Sequence, residues 1–457
     1  MYGLAVAGES TVRALLRRGD EVVVADDTVD ERRRNLAVEL GVDLLERPDP
    51  NLLREVISTC DFVSPAPGVP ETHSVVTVAQ ALGVELVSEI ELAYRWELDR
   101  PGGPRPMLAV TGTDGKTTMT LLAVEMLRAA GLRTVDAGNT STPLVDAIEM
   151  DLDVFVVECT SFRLAWTPTF RAAAAVWLNL APDHLNWHRS MASYEAAKAQ
   201  VWANQRPDDT AIGFVGDPVV MGRLHSAPGR QVTFGAHAAD YRVEGDTLAG
   251  PNGPLAQIGA MKRSLPHDLT NALAASALVL ETGLASTDAI TEALASFSGP
   301  PHRLEHLGTW GGVAWYNDSK ATTPHAASAA IRSFKGVTLI AGGYDKGVDL
   351  ASMAADVDGV DAVIAIGDTA PAIAHAFAAV DNVQIVGDLA EAVNVAASTA
   401  RPGSVVLLSP GCASFDHYSG FEARGDHFRS LVMERVARPE ASANQLSASV
   451  TDHRGTR

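Results

Sequence analysis

Apolar residues in this chain gather in short runs, and between the runs lie stretches where apolar positions return every three or four residues. That rhythm describes strands buried on both faces alternating with helices buried on one, the pattern of parallel sheets with crossover helices. In the first hundred residues the runs are Glu21–Ala25, Asp61–Ser64 and Val84–Val87, with a helix over Ser10–Arg18. A second set follows: an apolar strand opening at Met107, then Val135–Asn139, Asp151–Glu158 and Val176–Leu180, a helix carrying Tyr194 and Lys198, and one opening at Pro266. The third set is Val313–Tyr316, Val337–Ala341, Ala362–Ile366, Val383–Val386 and Ser404–Ser409.

Two breaks separate the sets. Asp99–Pro106, DRPGGPRP, has the glycine and proline content of a linker, and SGPPH at Ser298–His302 marks a second boundary. A length of 457 residues suits about three domains. The expected α/β organisation is a Rossmann-like domain over 1–100, a central P-loop ATPase-like domain over 101–300 and a second Rossmann-like domain over 301–436. Residues 437–457, with little apolar content and no period, read as a disordered tail.

The strongest chemical signal is MLAVTGTDGKTT, Met107–Thr118. An apolar strand enters a loop in which Gly112 and Gly115 let several N–H groups face one point, and the following helix adds its positive end. Lys116 supplies a charge for terminal phosphates, and Thr117 a hydroxyl suited to Mg²⁺. Leu121, Leu122, Val124, Met126 and Leu127 form the apolar side of the helix. The loop is shorter than the general P-loop, whose first glycine would fall at Val110. Glu158, at the end of DLDVFVVE, is placed as a second Mg²⁺ anchor; a turn acid would look the same. Asp183, His184, Asn186 and His188 cluster without the spacing of a zinc site. Asn271, near the start of its helix, reads by default as a surface or capping residue. In the third set Asp318, Lys320, Lys346 and Ser414 fall just after strands, on the edge where open α/β sheets bind ligands.

Near the start, Gly3, Ala5 and Gly8 form a loose G-x-A-x-x-G, and Asp26 closes the next strand, where an acid can take ribose hydroxyls or amides. A ligand-free tight turn would need the same glycines. The strand that should precede this loop is missing, which suggests a start upstream of Met1 or a truncated domain.

A formal net charge of −20 argues against a general nucleic-acid grip and fits a solvated acidic surface. Cys60, Cys159 and Cys412 are too few and too scattered for a disulfide framework. No apolar run approaches the roughly 18 residues of a membrane span, and there is no basic-then-apolar leader. A soluble cytoplasmic protein without membrane insertion is expected.

Taken together, GTDGKTT, VVECTSF, DHLNWH, YEAAK, TNALAA, PHRLE, NDSKATTP and SPGCASFD resemble the Mur ligases of bacterial cell-wall synthesis, from Gly3 to about Val436. The resemblance implies a UDP-binding first domain, an ATP-binding middle domain and a third domain that brings an amino acid. It implies that Gly112–Thr118, including Thr113, Asp114 and Thr118, hold ATP phosphates. Two Mg²⁺ ions would sit on Thr117, Glu158, His184 and Lys198, the last as a carbamate. Asn271 and Arg303 would meet the adenine nucleotide, Asp318 its ribose, and Lys320 would also lie on the nucleotide. Gly8, Asp26, Gly68 and Asn139 would face the substrate UDP-N-acetylmuramoyl-L-alanine, and Thr322, Lys346, Ser414, Phe415 and Phe421 would receive D-glutamate. The implied reaction forms an acyl phosphate that the amine converts to an amide, in a monomer. Departures are local: Asn186 stands for a common aspartate, Pro266 and Asp268 for Gly and Asn, and Thr140–Thr142 for Ile-Gly.

The resemblance leaves open a sister ligase adding another amino acid, such as L-glutamate, or a folylpolyglutamate synthase relative. From the residues alone, a nucleotide switch that makes no bond also stands. The strand-end residues Lys346 and Ser414 speak against it, because a switch needs no amino-acid pocket.

Overall fold

A computed structural model describes residues 1–345, 347, 349–355 and 357–437. Lys346 and the tail from residue 438 lie outside them. The chain divides after Phe297 into two compact units, Met1–Phe297 and Ser298–Arg457.

The first unit opens with four short strands, β1 (Val23–Asp26), β2 (Asp43–Glu46), β3 (Phe62–Val63) and β4 (Glu85–Leu86), in two parallel pairs, β1 with β2 and β3 with β4. Tyr2 lies between them, forming single parallel bridges to Ala25 on one side and Pro65 on the other. Its backbone N–H donates to Ser64 O at 3.0 Å, and Ala66 N–H donates to Tyr2 O at 2.8 Å. Residues 1–3 therefore occupy the central position where the sequence reading found no strand, although no strand is formed there. The first helix spans Val6–Arg18 and so begins four residues before the expected Ser10. Ala5 and Val6 lack helix-favouring polar caps, which hid the start. β2 was not expected, since its Asp43-Leu-Leu-Glu46 offers only two apolar residues.

A nine-stranded sheet fills the rest of the unit. Its strands are β5 (Met107–Thr111), β6 (Thr134–Gly138), β7 (Val154–Glu158), β8 (Ala174–Trp177), β9 (Thr210–Phe214), β10 (Arg230–Gly235), β11 (Tyr241–Glu244), β12 (Thr247–Gly250) and β13 (Gly253–Gln257). The order is β13-β12-β11-β10-β9-β8-β5-β7-β6, parallel from β6 across to β11 and antiparallel at β12 and β13. Strand alternation sorts the core into two faces. Leu108, Val110, Val154 and Val156 meet the helices Lys116–Ala129 and Pro266–Leu280; Met107, Ala109, Phe155 and Val157 meet Ile90, Leu144, Trp177 and Trp202. Because β5, β6, β7 and β8 are mutually parallel, the loops leaving them emerge on one edge.

The second unit holds a six-stranded sheet of β14 (Glu305–Trp310), β15 (Val313–Asn317), β16 (Val337–Gly342), β17 (Val360–Ile366), β18 (Val383–Ile385) and β19 (Val405–Leu408). The order is β14-β15-β19-β16-β17-β18, with only β14 antiparallel. β14 was absent from the sequence reading because Glu305-His-Leu-Gly-Thr-Trp310 lacks an apolar run. Among the described residues no helix is long and apolar enough to cross a membrane.

Candidate nucleotide and amino-acid sites

At the exit of β5, Gly112 has φ 156° and Gly115 φ 85°. A Cβ on Gly115 would stand 3.0 Å from Asn271 Oδ1, and one on Gly112 3.0 Å from Leu178 Cβ, so the loop needs both glycines for space as well as conformation. Gly115 caps the helix Lys116–Ala129 without any side-chain hydrogen bond. The first turn of that helix thus brings the N–H groups of Thr117 and Thr118 to the loop without a side-chain cap, as an anion cradle requires.

The loop is braced from β8 and from the helix Met191–Ala203. Asn179 Oδ1 accepts from Thr113 N and Asp114 N, both at 2.9 Å, and Asn179 Nδ2 donates back to Asp114 O at 3.2 Å. Thr113 Oγ1 lies 3.0 Å from the Tyr194 hydroxyl. Asn271 was expected at a helix surface, yet it is buried beside Gly115, because the Ala-rich helix around it packs tightly on the phosphate helix. Asn179 was missed altogether. A lone amide inside the apolar VWLNL run was the signal available.

Two lysines converge on the loop backbone. Lys116 Nζ donates to Gly112 O and Thr113 O, each at 2.9 Å, and Lys198 Nζ donates to Gly112 O at 2.6 Å. Ser190 caps the helix that carries Lys198, and Tyr194, one turn earlier, lies on the same face, its ring 4.7 Å below Nζ. Lys198 is only 1% exposed. Burial first, and the charge of Lys116 second, push its amine well below the usual lysine range. His184 has φ 56°, packs on Phe162 at 4.6 Å between ring centres and lies 3.3 Å from Asp183 Oδ2. Burial holds its imidazole below the ordinary value, Asp183 opposes this, and Lys116 and Lys198 depress it further.

Glu158 ends β7 and is fully enclosed. Its Oε1 accepts from Asn139 Nδ2 at 2.8 Å, whereas Oε2 is buried without a hydrogen-bond partner. A buried carboxylate oxygen left open beside a phosphate cradle suits a hard cation. Among the described residues no three His, Cys, Asp or Glu side chains gather as a metal cage. One carboxylate and one hydroxyl, Thr117, match the way Mg²⁺ is held when phosphates and water complete its shell.

Elsewhere in this unit, Gly8 packs against the 1–3 segment so closely that a Cβ would overlap Gly3 O. Asp26 is nearly buried, and its oxygens accept from Leu4 N and Thr28 N at 2.7 and 2.8 Å, so it braces the glycine turn. Gly68 sits exposed in the turn after β3. That turn is stitched to the His184 loop: Trp187 Nε1 donates to Pro67 O at 2.8 Å.

In the second unit Asp318 follows β15, with Leu304 N and Ser409 Oγ donating to its two oxygens at 3.1 and 2.8 Å. Arg303 lies in the turn between His302 and Leu304, both at positive φ. Lys320 Nζ stands 5.9 Å from the Phe421 ring, and Thr322 follows it in the same loop. Phe415 is 62% exposed. Ser414 is buried, and its Oγ has no partner. Beneath that loop lies Arg424, not foreseen because a charge on the Phe421–Arg435 helix reads as surface. Its guanidinium donates to Ser319 Oγ and O, Ala413 O and Cys412 O at 2.9–3.2 Å, and burial lowers it to about 10.

A glycine-framed phosphate cradle on one parallel sheet, followed by a second open sheet with its own polar strand-end loops, defines a multidomain nucleotide-dependent α/β enzyme. Residues 110–279 match the Mur ligase middle domain and residues 302–412 the Mur ligase glutamate ligase domain. The chain belongs to the Mur ligase family. It is 39% identical over 451 residues to a UDP-N-acetylmuramoylalanine-D-glutamate ligase of Frankia casuarinae, covering 95% of this chain and 93% of the relative. A second relative of the same name, from Rubrobacter xylanophilus, is 37% identical over 448 residues, covering 96% and 98%. Among solved structures, the UDP-N-acetylmuramate-alanine ligase MurC of Thermotoga maritima shares the fold with a TM-score of 0.58 at 17% identity, over 95% of this chain and 98% of that one.

Proposed function

We infer that the chain joins D-glutamate to the alanine carboxylate of UDP-N-acetylmuramoyl-L-alanine with ATP, through an acyl phosphate, in cytoplasmic peptidoglycan precursor synthesis. The observation that carries this is relatedness along nearly the whole chain to ligases bearing that name, at 39% identity over 95% of the chain. The site is chemically suited to the work. The uncapped helix end and Lys116 receive phosphate oxygens, and Lys116 stabilises the charge that shifts as the terminal phosphoryl group leaves. Mg²⁺, when bound, would neutralise phosphate charge; Glu158 and Thr117 would hold one ion, with His184 and Lys198 toward a second.

We further place the UDP-substrate site on residues 1–100, at Gly8, Asp26 and Gly68, with Asn139 facing it across the sheet edge of residues 101–300. Gly112, Thr113, Asp114, Gly115, Thr118, Asn271, Arg303, Asp318 and Lys320 belong to the nucleotide. Thr322, Lys346, Ser414, Phe415 and Phe421 belong to D-glutamate on residues 301–436. Support for the last comes from Ser414, whose buried hydroxyl lacks a partner above the Arg424 cation, a fit for an incoming carboxylate. Lys198 would carry a carbamate: its amine, whose hold on its proton is weakened by burial and by Lys116, attacks in its neutral form the carbon of CO₂, loses a proton and becomes an oxygen anion. The protein is taken to act as a monomer.

The test measures phosphate release from ATP with and without UDP-N-acetylmuramoyl-L-alanine and each glutamate enantiomer. Release that needs both the nucleotide sugar and D-glutamate supports this reading; preference for L-glutamate gives a sister ligase, and release without either gives a switch.

A further inference from the structure

Glu158 is not held by its own strand alone. Asn139, leaving the neighbouring β6, grips it twice: Asn139 N donates to Glu158 O at 3.0 Å and Asn139 Nδ2 donates to Glu158 Oε1 at 2.8 Å. Gly138 makes this approach possible. It has φ 87°, and a Cβ there would stand 2.6 Å from Glu158 O.

An amide can present either end, and something must choose. Arg163 does so, because its Nη1 donates to Asn139 Oδ1 at 2.9 Å and a guanidinium can only donate. With Oδ1 committed to Arg163, the amide must turn its N–H₂ toward Glu158. Arg163 is itself 6% exposed, with Nε 3.4 Å from Glu89 Oε2. Glu89 is 4% exposed, and its Oε1 accepts from Val145 N at 2.9 Å, which ties the pair to the segment after β6. Burying two charges is expensive, and a site that needed only packing would be served as well by apolar side chains.

We propose that the buried Glu89–Arg163 pair is a positioning device for the Glu158 carboxylate, acting through the orientation of the Asn139 amide. The pair makes Asn139 donate to Oε1, which turns Oε2, the oxygen without a partner, toward the cation that accompanies ATP. The inference deepens the proposed function and rests on its placing a divalent cation at Glu158. Partners one step removed from a metal ligand alter metal affinity by about 10–100-fold when removed.

The experiment compares the full-length parent with Arg163→Met, the paired Glu89→Gln/Arg163→Met, Asn139→Ala and the triple Glu89→Gln/Arg163→Met/Asn139→Ala. The paired variant leaves no lone buried carboxylate, so it keeps the comparison intact should Arg163→Met alone fail to fold. Binding of Mn²⁺ with ATP is read by electron paramagnetic resonance, beside the thermal midpoint and the KM for D-glutamate. The expected result is a loss of about tenfold in Mn²⁺·ATP affinity in the Arg163 variants, with the KM for D-glutamate unchanged. Asn139→Ala should lose the same, and combining it with the paired change should add nothing further. A folded paired variant that binds Mn²⁺·ATP within twofold of the parent overturns the inference, as do losses that multiply when Arg163 and Asn139 are changed together. Failure of the ligase reading shows separately, as a parent that binds Mn²⁺·ATP but releases no phosphate with the two substrates.

Discussion

The two large sheets both set buried cations under a strand-end loop, but they leave different atoms unsatisfied. At the edge of the nine-stranded sheet, two lysine amines lie on the Gly112–Thr113 backbone, and an unsatisfied charged atom is present, Glu158 Oε2. At the edge of the six-stranded sheet, a buried guanidinium lies under the loop, and the unsatisfied atom is a neutral hydroxyl, Ser414 Oγ. The first arrangement fits phosphate together with a cation; the second fits a carboxylate. The difference teaches that a strand-end edge prescribes where a ligand sits, while the orphaned buried atom indicates which ligand.

The sharpest break is Lys116→Ala. It removes the charge proposed to meet the transferring phosphoryl group, and kcat for phosphate release should fall by about 10²–10³-fold or more with little change in thermal midpoint. Turnover retained under saturating ATP would end the assignment of the first edge to phosphate. Ser414→Ala tests the other edge: the KM for D-glutamate should rise by about tenfold, the value of a hydrogen bond to a charged group, with ATP binding untouched. Stability should hold or improve, since a partnerless buried hydroxyl is removed. A lowered thermal midpoint would mean that Ser414 serves the fold.

Arg424→Met separates loop support from ligand contact. It strips donors from the carbonyls of Ser319, Ala413 and Cys412, and the second unit should lose about 2–4 kcal/mol in urea unfolding. The smallest effect concerns His302. Burial first, then the charge of Arg429, hold its imidazole below the usual value, and its Nδ1 lies 3.0 Å from Asn317 Nδ2, a donor that needs a neutral ring. The unfolded chain takes up this proton near pH 6.5 while the folded one resists, so stability is present above that pH and is lost as pH falls below it. The stability gap between parent and His302→Gln should therefore narrow on acidification, by no more than about 1.4 kcal/mol per pH unit. A gap that widens reverses the sign and the argument.

Much of this was legible in the residues themselves. Apolar runs such as MLAV and VFVV announce buried parallel strands, and Gly112, Gly115 and Lys116 announce the phosphate loop, because these signals are local: period, backbone freedom and charge within a few residues. β12, β13 and β14 went unread, since edge and antiparallel strands rely on neighbours more than on an apolar run of their own, and the interior parallel strands β9 and β10 were passed over as well. Asn139 could be named as a site residue, but nothing in its surroundings said which way its amide would face.

The sequence by itself determined the α/β rhythm, the phosphate loop and the family. Only the tertiary structure decided that Asn271 is buried against Gly115, that Arg424 lies under the Ser414 loop, and that Arg163 reaches Asn139 from 24 positions away. The physical reason is that hydrogen bonds and burial between distant positions depend on how parallel strands bring their ends to one edge, and that juxtaposition is encoded in the packing of the whole unit.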